Sequence, residues 1–279
     1  FFNAHDGIRD SVASRGLGDV YKRQEDGLAS DSVIRFLDSK SEDYAAMSKT
    51  IWSLAELGYQ EKETSKLMQS HLRQENFSID YGVAEIPTAF IASYGSGKPI
   101  IAILAEMDAL PGLSQDAKPE RKIIKEGMPG HACGHHLFGA GSIAAAVAVK
   151  NWLIETGTTG TIRLYGTPAE EGGSGKVYMV RAGLFDDVDI VMHWHPSDRN
   201  DASPASSLAN KSAKFRFYGI AAHAAAAPEK GRSALDAVES MNFMVNLMRE
   251  HLPEPARIHY IITEAVSYTH LTLPTNREV

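Results

Sequence analysis

Cys133, the only cysteine in the chain, stands between histidines in the run GHACGHH at residues 130–136, and about 35 residues later the chain reads GTPAEEGG, with Glu170 and Glu171 adjacent. Thiolate and imidazole are donors that zinc-like metals take, so Cys133 and His135, two residues apart on a tight turn, can converge on one ion. Adjacent carboxylates can divide labour beside such an ion. One binds it, while the other stays free to take a proton from water attacking a carbonyl and to return it to a leaving nitrogen. Two more segments add donors: EMDALPG at residues 106–112 offers Glu106 and Asp108, and VDIVMHWH at residues 188–195 ends in His193 and His195.

These groups need elements to hold them. Tyr44, Met47, Ile51, Leu54 and Ala55 recur at helical spacing and predict an amphipathic helix ending near Gly58, and Leu67, Met68 and Leu72 predict a second after Glu63. TAFIASY (88–94) and IIAILA (100–105) predict two strands joined by the turn GSGKP. An unbroken apolar strand such as IIAILA is buried on both faces, and its C-terminal end, where open α/β sheets carry their sites, delivers Glu106 and Asp108. A charged loop over 113–130 then leads the Cys-His run into an Ala-rich helix over 139–153, with Gly157 suited to its C-cap. TIRLY (161–165) predicts a strand running into the paired glutamates. Residues 188–195 predict another that puts His193 and His195 on one face.

Composition narrows the function classes. With 43% hydrophobic and 23% charged residues in 279, the chain supports a packed core of one large domain or somewhat more. A net charge of −7, with no basic stripe among the 28 Lys and Arg, argues against nucleic acid. A single cysteine forms no internal disulfide, so a reducing cytoplasm is the expected compartment. No apolar run approaching the roughly 18 residues of a membrane span is evident, and no signal peptide, so no membrane partner is expected. The ends read differently. Residues 1–24 and 266–279 lack periodicity and resemble translated adaptor sequence, so they are set apart as non-native tails, and His5 and His270 lose any claim as ligands.

EMDALPG, GHACGHH, GTPAEEGG, VDIVMHWHP and GIAAHAAAAPEKGRSALDAV, in this order, resemble the amidohydrolase branch of the dinuclear metallopeptidases, and within it most nearly the aminobenzoyl-glutamate hydrolase type. The resemblance covers about residues 27–264, with Met107 replacing an aromatic residue of the family's motif. It implies an α/β fold: a phosphorylase/hydrolase-like catalytic domain with a mixed central sheet flanked by helices, over 25–210. It also implies two divalent ions, zinc or manganese, held by Cys133, His135, Glu171 and His195, with His193 in reserve. Glu170 becomes the general base and Asp108 a carboxylate that orients a ligand. Glu106 stands where related branches carry a metal-binding histidine, and its role is left open.

From Lys214 a strand and loop, a helix over 233–252 with a Met-rich stripe expected to be core, and the strand RIHYIIT (257–263) suggest a β-α-β unit. It resembles the first half of the family's small ferredoxin-like lid and dimerisation domain, placed at 211–265, which implies a homodimer. His223 matches the lid histidine that stabilises the carbonyl oxygen as it becomes an oxyanion. The resemblance further implies sequence beyond Thr263 that returns to the sheet with a last histidine ligand, so the chain reads as C-terminally shortened, binding metal weakly and turning over little. The expected activity is metal-dependent hydrolysis of the amide bond in N-acyl or N-aroyl amino acids or small dipeptides. The alternatives are a non-catalytic dimeric binding or regulatory member and a purely structural metal site. Intact Glu170 speaks against the first, and a free carboxylate beside the ligands against the second.

Overall fold

The structure is a computed structural model that describes residues 28–202 and 207–265; the expectations for the two tails lie outside the described residues. Contacts divide the chain between Asn200 and Asp201, where the sequence placed the boundary at 210/211.

The first unit opens with helices α1 (Leu28–Ser39), α2 (Ser41–Leu54) and α3 (Lys62–Gln74). Helix α2 buries Tyr44, Met47, Ser48 and Ile51, the stripe its sequence spacing predicts, with Glu42 and Asp43 favourably placed in its first turn. It stops at Ala55, which adopts a left-handed conformation and returns its N–H to the Ile51 carbonyl. Helix α3 buries a partly polar stripe of Thr64, Ser65, Met68, Gln69 and Leu72. Strands β1 (Ser78–Tyr81), β2 (Phe90–Ser96) and β3 (Ile100–Glu106) follow, then α4 (His135–Thr156), β4 (Gly160–Thr167), the short turns of helix α5 (Glu170–Gly173) and α6 (Gly175–Arg181), and β5 (Ile190–Met192).

The strands form one mixed sheet in the order β1-β2-β4-β3-β5. The turn after β2 therefore does not close a hairpin. Strand β4 inserts between β2 and β3, antiparallel to the first and parallel to the second. Because β3, β4 and β5 run parallel, their C-terminal ends share one edge of the sheet. Alternation along the central strands splits their side chains. Phe90, Ala92, Ile103, Ala105, Ile162 and Leu164 face the helices, packing with Ile51, Met68, Ile143 and Val147. Ile91, Ala102, Leu104 and Tyr165 face the other way, onto Phe138, Met179 and Phe185. Helix α4 is long and apolar enough by composition to cross a membrane, but 56% of that stretch is buried inside the protein, with Ile143 and Val147 in the core.

Small residues let these layers meet closely. A side chain at Gly139 would press on the Glu106 carbonyl at 3.0 Å, so the helix lies tight against β3. At Gly166, in register with Phe90, a Cβ would fall inside the Phe90 ring. Gly166→Ala is expected to destabilise the chain by about 1–3 kcal/mol through overpacking, read as a lower denaturant midpoint with unchanged m-value. An unchanged midpoint would mean that the ring is free to move aside.

Several sequence expectations change. Helix α1 and strand β1 were not anticipated. β5 is shorter than 188–195, ending before the histidines, and its Ile190, Val191 and Met192 are exposed, as an edge strand's outer surface can be. In the second unit the expected strands from 214 and over 257–263 are absent among the described residues. That unit holds α7 (Ala234–Met248) and an isolated bridge between Ile220 and Arg232. A strand exists through a continuous ladder, and among the described residues these two segments form no named strand; Phe215, Tyr218 and Ile261 are exposed. The helix was correctly located, and Ser233 caps it by accepting from the Asp236 N–H. Its Met-rich stripe is not core, however. Ala234 and Val238 are buried while Met244 and Met248 are exposed, and among the described residues of this unit there is no sheet to cover them.

Candidate metal centre

The parallel strands deliver the reactive side chains together. Glu106 ends β3, Asp108 follows it, Glu170 and Glu171 follow β4, and His193 and His195 follow β5. Cys133 and His135 enter from the other side, at the start of α4, where Gly134 turns the chain with φ +87°. Only a residue without a side chain makes that turn at low cost.

His135 is the hub, fully buried at 0% exposure. Its Nδ1 lies 3.0 Å from both Oδ1 and the backbone oxygen of Asp108, so an N–H there donates to Asp108 and turns Nε2 toward the acids. Nε2 is 2.9 Å from Glu106 Oε2 and 3.9 Å from both Glu170 Oε2 and Glu171 Oε1. Asp108 uses its second oxygen to accept from the Glu171 N–H at 2.9 Å, tying the imidazole to the glutamate turn. Cys133 Sγ meets His195 Nε2 at 3.4 Å, and His193 Nε2 reaches Glu106 Oε1 at the same distance. Lys176 also ion-pairs with that Glu106 oxygen.

Among the described residues two overlapping triads, which share His135, could hold an ion, with ligating atoms all within 4.8 Å of one another: Cys133, His135 and His195, or Glu106, His135 and Glu170. The first contains three of the four ligands expected from sequence. Glu171, the fourth, approaches His135 but falls outside both triads, whereas Glu170, expected as the free base, enters the second. His193 and His195, expected on one face with His193 in reserve, reach different neighbours, His195 meeting Cys133 and His193 meeting Glu106. His223 belongs to the second unit, where its Nδ1 accepts from the Ala225 and Ala226 N–H groups at 3.2 and 3.1 Å and closes a local turn.

The electrostatics fit a cation. Glu106 and Asp108 are 2% and 1% exposed, with Glu171 and the Cys133 thiol close by. Burial, then contact with Glu171 and the charges of Glu170 and Glu106, push the Cys133 thiol up to about 12. Burial opposes a charge on His135, but Asp108 and Glu106 outweigh it and raise the imidazole to about 10. Burial would likewise lift Glu106, yet His135 and Lys176 bring it down to about 2. Burial raises Glu171. Among buried polar atoms, Glu106 Oε2, His135 Nε2 and Glu171 Oε1 have no aligned hydrogen-bond partner, so three donors aim into one space. A divalent ion there would satisfy all three and favour the thiolate. The donor set of thiolate, imidazole and carboxylate suits such an ion.

Sequence reasoning left Glu106 open and passed over Lys176, which follows the GGSG run and reads as an ordinary helix-start lysine. Comparisons with known proteins bear on the family and the fold. A sequence model of peptidase family M20/M25/M40 matches residues 102–264. One of the p-aminobenzoyl-glutamate hydrolase polypeptides of Escherichia coli (strain K12) is 47% identical over 84% of this chain and 50% of its own length. The chain thus spans about half the length of that relative. A crystal structure of a Bacillus subtilis dinuclear metal binding peptidase superposes with a TM-score of 0.51 at 26% identity, covering 66% of this chain and 50% of its own. The aminobenzoyl-glutamate utilization protein of Klebsiella pneumoniae shares the fold, with a TM-score of 0.55 at 19% identity over 87% of this chain and 66% of its own.

Proposed function

The chain belongs to peptidase family M20/M25/M40, and from that membership we propose that it forms part of a metal-dependent amidohydrolase. Its substrates are N-acyl or N-aroyl amino acids or small dipeptides, bearing a free carboxylate. The observation that carries this reading is His135, with Nδ1 locked by Asp108 and Nε2 facing three carboxylates beside a cysteine-histidine pair. Two divalent ions, zinc or manganese, would be held by Cys133, His135, Glu171 and His195, with Glu106 and His193 within reach of the same space. When bound, they supply Lewis acidity to a carbonyl oxygen and to water.

The chain's own groups do the rest. Asp108 holds the imidazole in the tautomer that leaves Nε2 free to ligate. Glu170, whose side chain is 43% exposed, stands at the open side of the cluster. There it accepts a proton from the attacking water and later delivers it to the departing nitrogen. His223 is the proposed donor to the developing oxyanion, a role resting on family resemblance. The same resemblance makes a homodimer part of the proposal, and the single, unbridged Cys133 makes a reducing cytoplasm the proposed setting.

The test is metal uptake by this chain, followed by release of glutamate from p-aminobenzoyl-glutamate and of the amino acid from other N-aroyl amino acids. Zinc or manganese should bind, and hydrolysis in the full-length protein should vanish on chelation and return on metal addition. A chain that takes up neither metal would refute the proposal.

A further inference from the structure

Glu61 is a fully buried carboxylate, 0% exposed, that the proposed reaction does not use. Both its oxygens are engaged. Oε1 accepts from the Ala169 N–H at 2.8 Å, and Oε2 accepts from the Thr88 hydroxyl at 3.0 Å. Ala169 immediately precedes Glu170 and is held at φ 55°, a left-handed conformation unfavourable for alanine. The surrounding loop grips the same turn. Tyr59 donates its hydroxyl to the Gly173 carbonyl at 2.5 Å, and a Cβ on Gly58 would stand 3.0 Å from Ala169. The glutamate turn is thus held at Ala169, at the Glu171 N–H by Asp108, and at Gly173.

The support for Glu61 runs on along the polar stripe of α3. Arg73 donates to Gln69 at 3.1 Å, Gln69 to Ser65 at 2.9 Å, and Ser65 to the Thr88 carbonyl at 2.7 Å. Polar residues on a buried helix face are costly unless they are bonded, and here Ser65 and Gln69 are bonded, while the buried Thr64 hydroxyl beside them has no aligned partner. The row links a surface arginine to the carboxylate beneath the site.

We propose that Glu61 is the positioning residue of the Glu170–Glu171 turn, fixing Ala169 in its left-handed conformation so that both carboxylates face His135. This rests on the reading of Glu171 as a metal ligand. Glu61→Leu, which removes the acceptor, should weaken zinc binding by about 10- to 100-fold, the range for groups that orient ligands. It should also alter the absorption spectrum of the cobalt-substituted chain, which reports ligand geometry and thiolate contact. Glu61→Gln keeps an acceptor for Ala169 and should restore both within about threefold of the parent. Thr88→Val leaves the Ala169 bond but frees the other oxygen, so it should fall between the two and carries the test if the leucine variant does not fold. In the full-length enzyme the loss should appear in kcat with KM nearly unchanged, because a misplaced base slows chemistry without weakening substrate binding.

Zinc affinity is measured by competition with a chromophoric chelator, with Glu171→Gln as control. If Glu171→Gln also leaves affinity unchanged, the ligand reading fails and the proposal falls with it. If Glu171→Gln loses metal while folded Glu61→Leu, or Thr88→Val in its place, keeps the parent's affinity and cobalt spectrum, Glu61 is overturned as a positioning residue on its own account. Failure of Glu61→Gln to restore the spectrum overturns it too.

Discussion

Glu170→Gln is expected to remove amide hydrolysis while leaving metal content nearly unchanged, when measured in a protein spanning the relatives' full length. The amide keeps the shape of the side chain but cannot take the proton of attacking water. The loss therefore falls on the chemical step, about 10²- to 10⁴-fold, and more where the same group later serves as acid. Glu171→Gln is expected to act differently, stripping metal because a charged ligand is replaced by a neutral one. Metal analysis and turnover for the two variants separate the roles. The geometry makes this test sharp, because Glu170, not Glu171, shares a triad with Glu106 and His135. Retained turnover in Glu170→Gln, or metal loss from that variant alone, would exchange the two assignments.

A second large effect is expected at His135, the residue common to both triads. Groups that merely orient a ligand change affinity by about 10- to 100-fold, so removing the ring in His135→Ala should exceed about 100-fold for the ion that Nε2 would hold. The metal-free chain should also lose stability. Glu106 and Asp108 would remain buried on either side of the missing ring, and deleting one partner of a buried ionic contact costs about 3–5 kcal/mol. Chelator competition and a denaturant melt read the two effects separately. Parent-like metal affinity in the alanine variant would show that the ions sit elsewhere.

The sequence was most informative where side-chain type and local period coincide. The apolar run of β3 announces a doubly buried strand, and the acids follow at its end. Gly157 marks the end of α4, where it adopts φ +65°. The helical periods of α2 and α3 likewise appear in the burial of Met47, Ile51, Met68 and Leu72. Features set by distant partners were hidden. Nothing local says that β4 enters between β2 and β3, since both neighbours present equally apolar strands. Glu61 in LGYQEKE reads as one more charge at a solvated helix start, and its burial follows from Ala169, 108 positions away. The apolar segments 214–220 and 257–263 have strand composition, yet among the described residues neither forms a named strand, since pairing decides what composition only favours. His193 and His195, two apart, would share one face of a strand, but β5 ends at Met192, and beyond it they reach different neighbours, Glu106 and Cys133.

The pairing of β5 with β3 also sets the order in which a metal could matter during folding. These strands are parallel, so they meet only after the chain has travelled out through α4 and β4 and back, a slow, non-local closure. Cys133 meets His195 across 62 residues of sequence, and Glu106 meets His193 across 87. Before that closure the two histidines are remote from the other donors, and a cation would encounter only a partial set. The Cys133–His195 triad is therefore completed only by this last pairing, whereas Glu106, His135 and Glu170 need no residue that follows β5. An ion held through His195 would act as a latch, its binding energy opposing the peeling of the edge strand, so chelation should be felt in how quickly the finished fold opens more than in how quickly it forms.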